Sequence, residues 1–129
     1  MLRLVIGVFV ALHGLVHLLY VGQSSELFEL QPDMRWPSDS WALSGLLGHR
    51  RVSSLASISY TLIAAGFIVG GIALLARQTW WLPLTVASAA VSTVMILLFW
   101  NGRVKKLADQ GAIAILINSV ILLALLVLR

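Results

Sequence analysis

The sequence contains no cysteine, and only 11% of its 129 residues are charged. The absence of cysteine excludes disulfides, thiolate metal sites, iron–sulfur clusters and thiol redox chemistry. An ordinary soluble domain is about 25% charged, whereas 60% of these residues are hydrophobic and the mean hydropathy is +0.97. A water-soluble fold of this size could not bury so much apolar surface. The composition therefore predicts an all-α integral membrane protein, and the length predicts a single domain over residues 1–129.

Acidic residues are scarce and lie only in connecting segments. There are five of them, and those before the second apolar segment are Glu26, Glu29, Asp33 and Asp39. Because no carboxylate lies inside an apolar run, a catalytic di-metal site within the membrane is not expected. The nine Lys and Arg residues are scattered along the chain. They are expected to anchor the membrane edges and not to bind nucleic acid.

Four apolar segments are long enough, or nearly so, to cross about 30 Å of hydrocarbon as helices. They predict four transmembrane helices in an antiparallel bundle, over residues 4–21, 52–76, 82–100 and 112–128. The long connection, residues 22–51, is predicted to lie at the interface and to contain a short helix capped by Ser38 or Asp39. Its residues Trp36 and Trp41 belong to a type that favours the headgroup region.

The two longer connections share one face of the membrane. That face has six basic residues and the opposite face has three, so the positive-inside rule places the loops in the cytoplasm and both termini outside. The six are Arg35, Arg50, Arg51, Arg103, Lys105 and Lys106, and the three are Arg3, Arg77 and Arg129.

The second span has the small residues that allow close helix contact in a membrane. Gly66 and Gly70 form a GxxxG pair after a stripe of small residues at four-residue spacing, Ser53, Ser57, Thr61 and Ala65. The second span is therefore expected to be the central helix. The glycine pair is expected to serve packing within the chain or, alternatively, a homodimer contact.

Polar residues of several spans fall in the loop-side half of the bilayer, where each avoids lipid only by facing inward. They predict one polar pocket, open toward the long loop or covered by it. Its candidate residues are His13, His17, Tyr60, Thr61, Asn118 and, at the edge, Trp100.

His13 and His17 are four residues apart and share one face of a helix. They could ligate one metal ion together, but they could not be the two axial ligands of a single haem. One of them could be an axial ligand if the other ligand came from elsewhere, and His49 is the only candidate for it. A quinone or another small polar lipid could instead hydrogen-bond to His13, Tyr60 or Asn118. In the simplest alternative, the imidazoles bond to neighbouring helices and only fix the first helix.

Three stretches carry a resemblance to known proteins: HGLVHLLY in the first span, the pair Trp80–Trp81, and ILLFWNGRVKKLADQGAIAILINSVIL near the end. They resemble a family of small bacterial four-helix membrane proteins with an HGxxHL first helix. In layout the chain is also similar to DoxX-like proteins, some of which are membrane subunits of quinone-linked oxidoreductases. The resemblance implies a bacterial inner membrane, four spans and a role for His13, His17, Trp100 and Asn118.

The leading hypothesis is a non-enzymatic membrane protein, because the sequence shows no nucleophile–base pair. It would act as a subunit of a larger membrane assembly or as a small-ligand-binding module. The alternatives are a redox protein that binds haem or quinone through His13 and His17, and a small dimeric transporter. The expected partners are the lipid bilayer, other membrane subunits or a second copy of the chain.

Overall fold

The computed structural model of the chain describes residues 1–30, 32, 36–100 and 111–127. The regular structure in these ranges is entirely helical: α1 (Leu2–Ser24), α2 (Ser44–Leu47), α3 (His49–Leu75), α4 (Trp81–Phe99) and α5 (Ala112–Val127). Three helices, α1, α3 and α4, are long and apolar enough to cross a membrane. This agrees with the expectation of a helical membrane protein.

The helix bounds differ from the predicted spans mainly at the ends. Helix α1 has 23 residues and extends past the predicted span at both ends. Helix α3 has 27 residues, begins three residues before its predicted span and ends one residue before the predicted end. Helix α5 has 16 residues, or about 24 Å at 1.5 Å per residue, which is less than the thickness of a hydrocarbon core. Gly48 separates α2 from α3 with a φ of 77°, a conformation that glycine adopts at little cost.

Helix α1 lies along α3 at backbone-to-backbone distance. A Cβ added to Gly71 of α3 would lie 2.6 Å from the carbonyl oxygen of Gly7 and 2.9 Å from the amide nitrogen of Ala11. A Cβ added to Gly14 of α1 would lie 2.9 Å from the carbonyl oxygen of Ala64. Glycine at these positions therefore sets the separation of the two helices.

Helix α3 packs on α4 as well as on α1. Gly66 faces the Ser88 side chain, and a Cβ at Gly70 would lie 2.6 Å from Thr85 Oγ1. The GxxxG pair thus makes a contact within the chain. The stripe of small residues does not mark the buried face, since Thr61 is exposed. The buried face is instead offset by one residue from that stripe, over Val52, Ala56, Tyr60, Ala64 and Phe67.

Serine side chains connect the end of α1 to the start of α3. Ser24 Oγ and Ser57 Oγ are 2.6 Å apart, and the Ser53 hydroxyl donates to the Ser24 carbonyl. These bonds hold both ends of the long loop close together at one end of the helices.

The long loop differs from its prediction at two points. Helix α2 begins after Leu43 without a side-chain cap, so neither Ser38 nor Asp39 caps it. The Ser40 hydroxyl accepts hydrogen bonds from the amides of Ala42 and Leu43, and the Asp39 carboxylate accepts one from the Ser44 hydroxyl. Trp36 is fully buried, whereas Trp41 is 66% exposed and donates from its indole to the Leu97 carbonyl. Only Trp41 is thus placed as an interfacial tryptophan would be.

Several residues used for the orientation prediction lie outside the described ranges. They are Arg35, Arg103, Lys105, Lys106 and Arg129. Asp33 of the long loop and the turn after Trp100, which carries part of the family resemblance, also lie outside the described ranges. The orientation of the chain in the membrane therefore stays a prediction.

We expect Gly71→Ala to lower the free energy of unfolding of the detergent-solubilised protein by about 1–3 kcal/mol, and with it the melting temperature. The new methyl group would press on the α1 backbone, which cannot rotate away as a side chain can. Gly45→Ala is the control, because a Cβ at Gly45 meets no atom within 4 Å. Equal melting temperatures for the two variants would show that α1 and α3 are not in close contact.

Candidate functional site

His17 lies at the centre of a buried polar network and is 0% exposed. Its Nδ1 is 3.0 Å from the carbonyl oxygen of His13, one turn earlier in α1. Its Nε2 is 2.7 Å from Ser92 Oγ in α4. Both ring nitrogens therefore have partners, which is the condition for burying an imidazole away from water.

Asn118 of α5 joins His13 to α4. Its Oδ1 is 2.8 Å from His13 Nε2, and its Nδ2 is 2.9 Å from Ser92 Oγ and 3.2 Å from Thr93 Oγ1. The Asn118 side chain is fully buried. One amide thus links α1, α4 and α5, and the network supplies the contact between α1 and α5.

Aromatic rings continue from the network toward the long loop. The His17 ring lies 5.5 Å from Tyr20 and 6.2 Å from Tyr60, measured between ring centroids. Trp36 of the loop lies 4.7 Å from Tyr20 and 5.9 Å from Tyr60. The loop therefore places the buried indole of Trp36 on the loop side of the histidines, where the sequence predicted a pocket that is open toward the loop or covered by it.

Four buried polar atoms in this part of the molecule have no hydrogen-bond partner within the described ranges. They are His13 Nδ1, Tyr60 Oη, Trp36 Nε1 and Trp100 Nε1. A buried donor or acceptor without a partner costs about 1–3 kcal/mol, so most such atoms in folded proteins are paired. Two of the four, Tyr60 Oη and Trp36 Nε1, belong to the aromatic rings just described, and His13 belongs to the polar network. Trp100 directly follows Phe99, which packs on Tyr60.

No protein-family model, curated protein or solved structure matches the chain. Its chemistry must therefore follow from the residues themselves. Of the six predicted pocket residues, His13, His17 and Asn118 meet in the network, and Tyr60 packs beside it. Thr61 lies on the exposed side of α3 and donates to the Ser57 carbonyl. Trp100 lies under the loop, where its carbonyl accepts from the Trp41 amide at 2.8 Å.

Tyr20 and Trp36 are part of the site although neither is among the predicted pocket residues. Tyr20 follows His17 by three residues, so helical spacing alone could have added it to the face of His13 and His17. Trp36 gave no comparable signal, because a loop residue has no periodicity that indicates where its side chain lies.

Joint metal ligation by His13 and His17 conflicts with this geometry. Both nitrogens of His17 are already engaged, and ligation would break its bond to Ser92 or to the His13 carbonyl. Within the described residues there is no group of three or more His, Cys, Asp and Glu side chains that could hold a metal ion. The HxxxH spacing here serves hydrogen bonds between helices.

A separate polar cavity of about 720 Å³ lies at the loop end of the molecule. Its lining includes acidic residues and one histidine, His49, whose Nε2 is 3.5 Å from Glu26 Oε1. The lining residues are Gln23, Glu26, Phe28, Glu29, Ser38, Asp39, Ser44 and His49. His13 and His17 are not among them, so this cavity and the histidine network are different features.

We expect Asn118→Leu to destabilise the protein by about 1–3 kcal/mol, because it leaves the buried His13 Nε2–H without an acceptor. Ser119→Ala is the control on the same helix, since the Ser119 hydroxyl donates only to the Ile115 carbonyl of its own helix. Thermal unfolding in one detergent compares the two variants. A normal melting curve for Asn118→Leu would mean that the network does not hold α5 in place.

Proposed function

We propose that this chain is a four-span antiparallel bundle that binds a small membrane-soluble ligand in the histidine-centred region beneath the long loop. It acts without catalysing a reaction, alone or as a subunit of a larger membrane assembly. Helix α5 would be the fourth span in spite of its length. The bonds of Asn118 to α1 and α4 support this arrangement. An amide that bonds to the middle of two membrane-spanning helices has to lie at the same depth in the membrane as its partners.

The unpartnered buried atoms are the observation that most supports a ligand. Trp36 Nε1 is only a donor, and the Tyr60 hydroxyl is a donor that can also accept. A ligand with a carbonyl or similar acceptor oxygen would satisfy both, while the surrounding rings would contact its apolar part. Such a mixture of apolar lining and a few polar atoms is typical of small-molecule sites.

Quinone binding is the form of the redox alternative that this geometry favours. A quinone offers a flat apolar ring and carbonyl acceptors, which match the Tyr60 and Trp36 donors. Haem ligation requires an imidazole nitrogen that is not already bonded; His17 has none, so this pair could supply only one axial ligand, through His13 Nδ1. An absorbance spectrum of the purified protein, with and without dithionite, and analysis of an organic extract would distinguish the two cofactors.

A dimeric transporter receives less support. Gly66 and Gly70, which were candidates for a homodimer contact, face Ser88 and Thr85 of the same chain. The proposed location is the bacterial inner membrane, with the long loop in the cytoplasm and both termini outside. A DoxX-like layout would agree with a quinone-linked partner, and co-purification of other membrane proteins would identify one.

We expect Tyr60→Phe to keep the melting temperature of the wild-type protein and to bind much less ligand. The Tyr60 hydroxyl has no partner among the described residues, so its removal leaves none of their polar groups unpaired, but the ligand would lose a donor. The matched control is Thr61→Val, which removes a hydroxyl from the exposed side of the same helix. Mass spectrometry of organic extracts from equal amounts of each purified protein measures the ligand.

If the Tyr60 hydroxyl donates one hydrogen bond to the ligand, we expect several-fold less ligand to be recovered from Tyr60→Phe than from Thr61→Val. Equal recovery from both variants would contradict a role for Tyr60. The absence of any bound small molecule from the wild-type protein, purified in a mild detergent, would contradict the proposed function as a whole.

A further inference from the structure

The partners of His17 determine which of its ring nitrogens holds the proton. A carbonyl oxygen can only accept, so the contact with the His13 carbonyl requires Nδ1–H. In a neutral ring, Nε2 then has only its lone pair and must accept from the Ser92 hydroxyl. The hydrogen of Ser92 is thereby used, and any further contact to Ser92 Oγ must come from a donor.

The Asn118 amide satisfies this requirement at two places. Ser92 Oγ needs a donor, and so does Thr93 Oγ1, because the Thr93 hydroxyl already donates to the Ala89 carbonyl. Both contacts are made by Asn118 Nδ2, which has two hydrogens. The orientation of the amide thus follows from two independent hydroxyl groups, and Asn118 Oδ1 must face His13.

The reversed amide orientation would require a charged ring. If Asn118 Oδ1 faced Ser92, the Ser92 hydroxyl would donate to it, and His17 Nε2 would need a proton of its own. His17 would then hold protons on both nitrogens as a cation within the membrane, which is costly. A neutral network permits only the orientation described above.

His13 is consequently protonated on Nε2, whereas His17 is protonated on Nδ1. His13 Nε2 donates to Asn118 Oδ1, so His13 Nδ1 has a free lone pair, and that atom has no partner in the described part of the chain. The His13 side chain is 3% exposed and lies against aromatic rings, with Phe67 at 4.8 Å and Phe9 stacked at 6.5 Å between centroids. Phe9 itself is about half exposed on the outer side of α1.

We infer that His13 Nδ1 accepts a hydrogen bond from the hydroxyl group of a small aromatic ligand, and that His17 is a positioning residue that fixes the tautomer of His13 through Ser92 and Asn118. This inference rests on the proposed function for the presence of a ligand, and it adds to the acceptor oxygen proposed there a second polar group: a phenol-type hydroxyl on a flat apolar ring. The rings around His13 match the apolar part of such a molecule.

The tautomers are measured by nitrogen NMR on the detergent-solubilised full chain with ¹⁵N-labelled histidine. Couplings to the ring protons identify each nitrogen, so the test does not depend on variants that fold poorly. We expect one buried ring with an unprotonated Nδ1 and another with an unprotonated Nε2. Two buried rings of the same tautomer, or a doubly protonated buried ring, would overturn the inference.

The ligand chemistry is tested with phenol and anisole, which share a ring but differ in the hydroxyl donor. Phenol should shift the signal of the unprotonated Nδ1 saturably toward that of a hydrogen-bonded nitrogen, and anisole should not. His13→Gln should lose the response, while Thr61→Val should keep it. Equal shifts with both compounds, or no shift with phenol, would overturn the assignment of His13 Nδ1.

This experiment can fail independently of the proposed function. A natural ligand that co-purifies and depends on Tyr60, in a protein whose His13 does not respond to phenol, would leave the ligand-binding function standing and refute the role of His13. The converse result, a response to phenol with no natural ligand recovered, would support the hydroxyl site and contradict the proposed function.

Discussion

A histidine buried among apolar helices must have hydrogen-bond partners, and no partner is available from lipid. In this chain the requirement is met across helices, because His13 bonds to Asn118 of α5 and His17 bonds to Ser92 of α4. Apolar contact between helices gains little in a membrane, where lipid tails are equally apolar. The polar bonds therefore define how α1, α4 and α5 are placed relative to one another.

Close packing of α1 on α3 places the histidine rings against the aromatic residues of α3. The glycines at this contact allow α1 to approach until the His13 and His17 rings contact Phe67 of α3. The same approach places Tyr60 beside His17, with Trp36 and Phe99 next to it. The glycines thus set the separation of α1 and α3, and the aromatic side chains fill the space that remains beside this contact.

The site is asymmetric along the axis of the helices. On the loop side of His17 lie Tyr20, Tyr60 and Trp36, which have hydroxyl or indole groups. On the side of the termini lie apolar buried residues, among them Val10, Ile121 and Leu125. The buried hydroxyls there, of Thr85 and Ser88, donate to carbonyls of their own helix. Of the four buried polar atoms without a partner among the described residues, the three on Tyr60, Trp36 and Trp100 lie toward the loop, and His13 Nδ1 lies one helical turn deeper than His17.

The sequence by itself determined the membrane character of the chain, the existence of its long helices and the common face of His13 and His17, because composition and helical period are local properties. It also indicated Asn118 and Tyr60, since a polar residue in an apolar run has to face inward. Only the tertiary structure decided that Asn118 reaches His13 and Ser92, that Thr61 lies outside and that Trp36 is buried. These depend on how each helix is rotated about its axis and on the path of a loop. Both result from contacts between residues far apart in the chain, which period and composition do not specify.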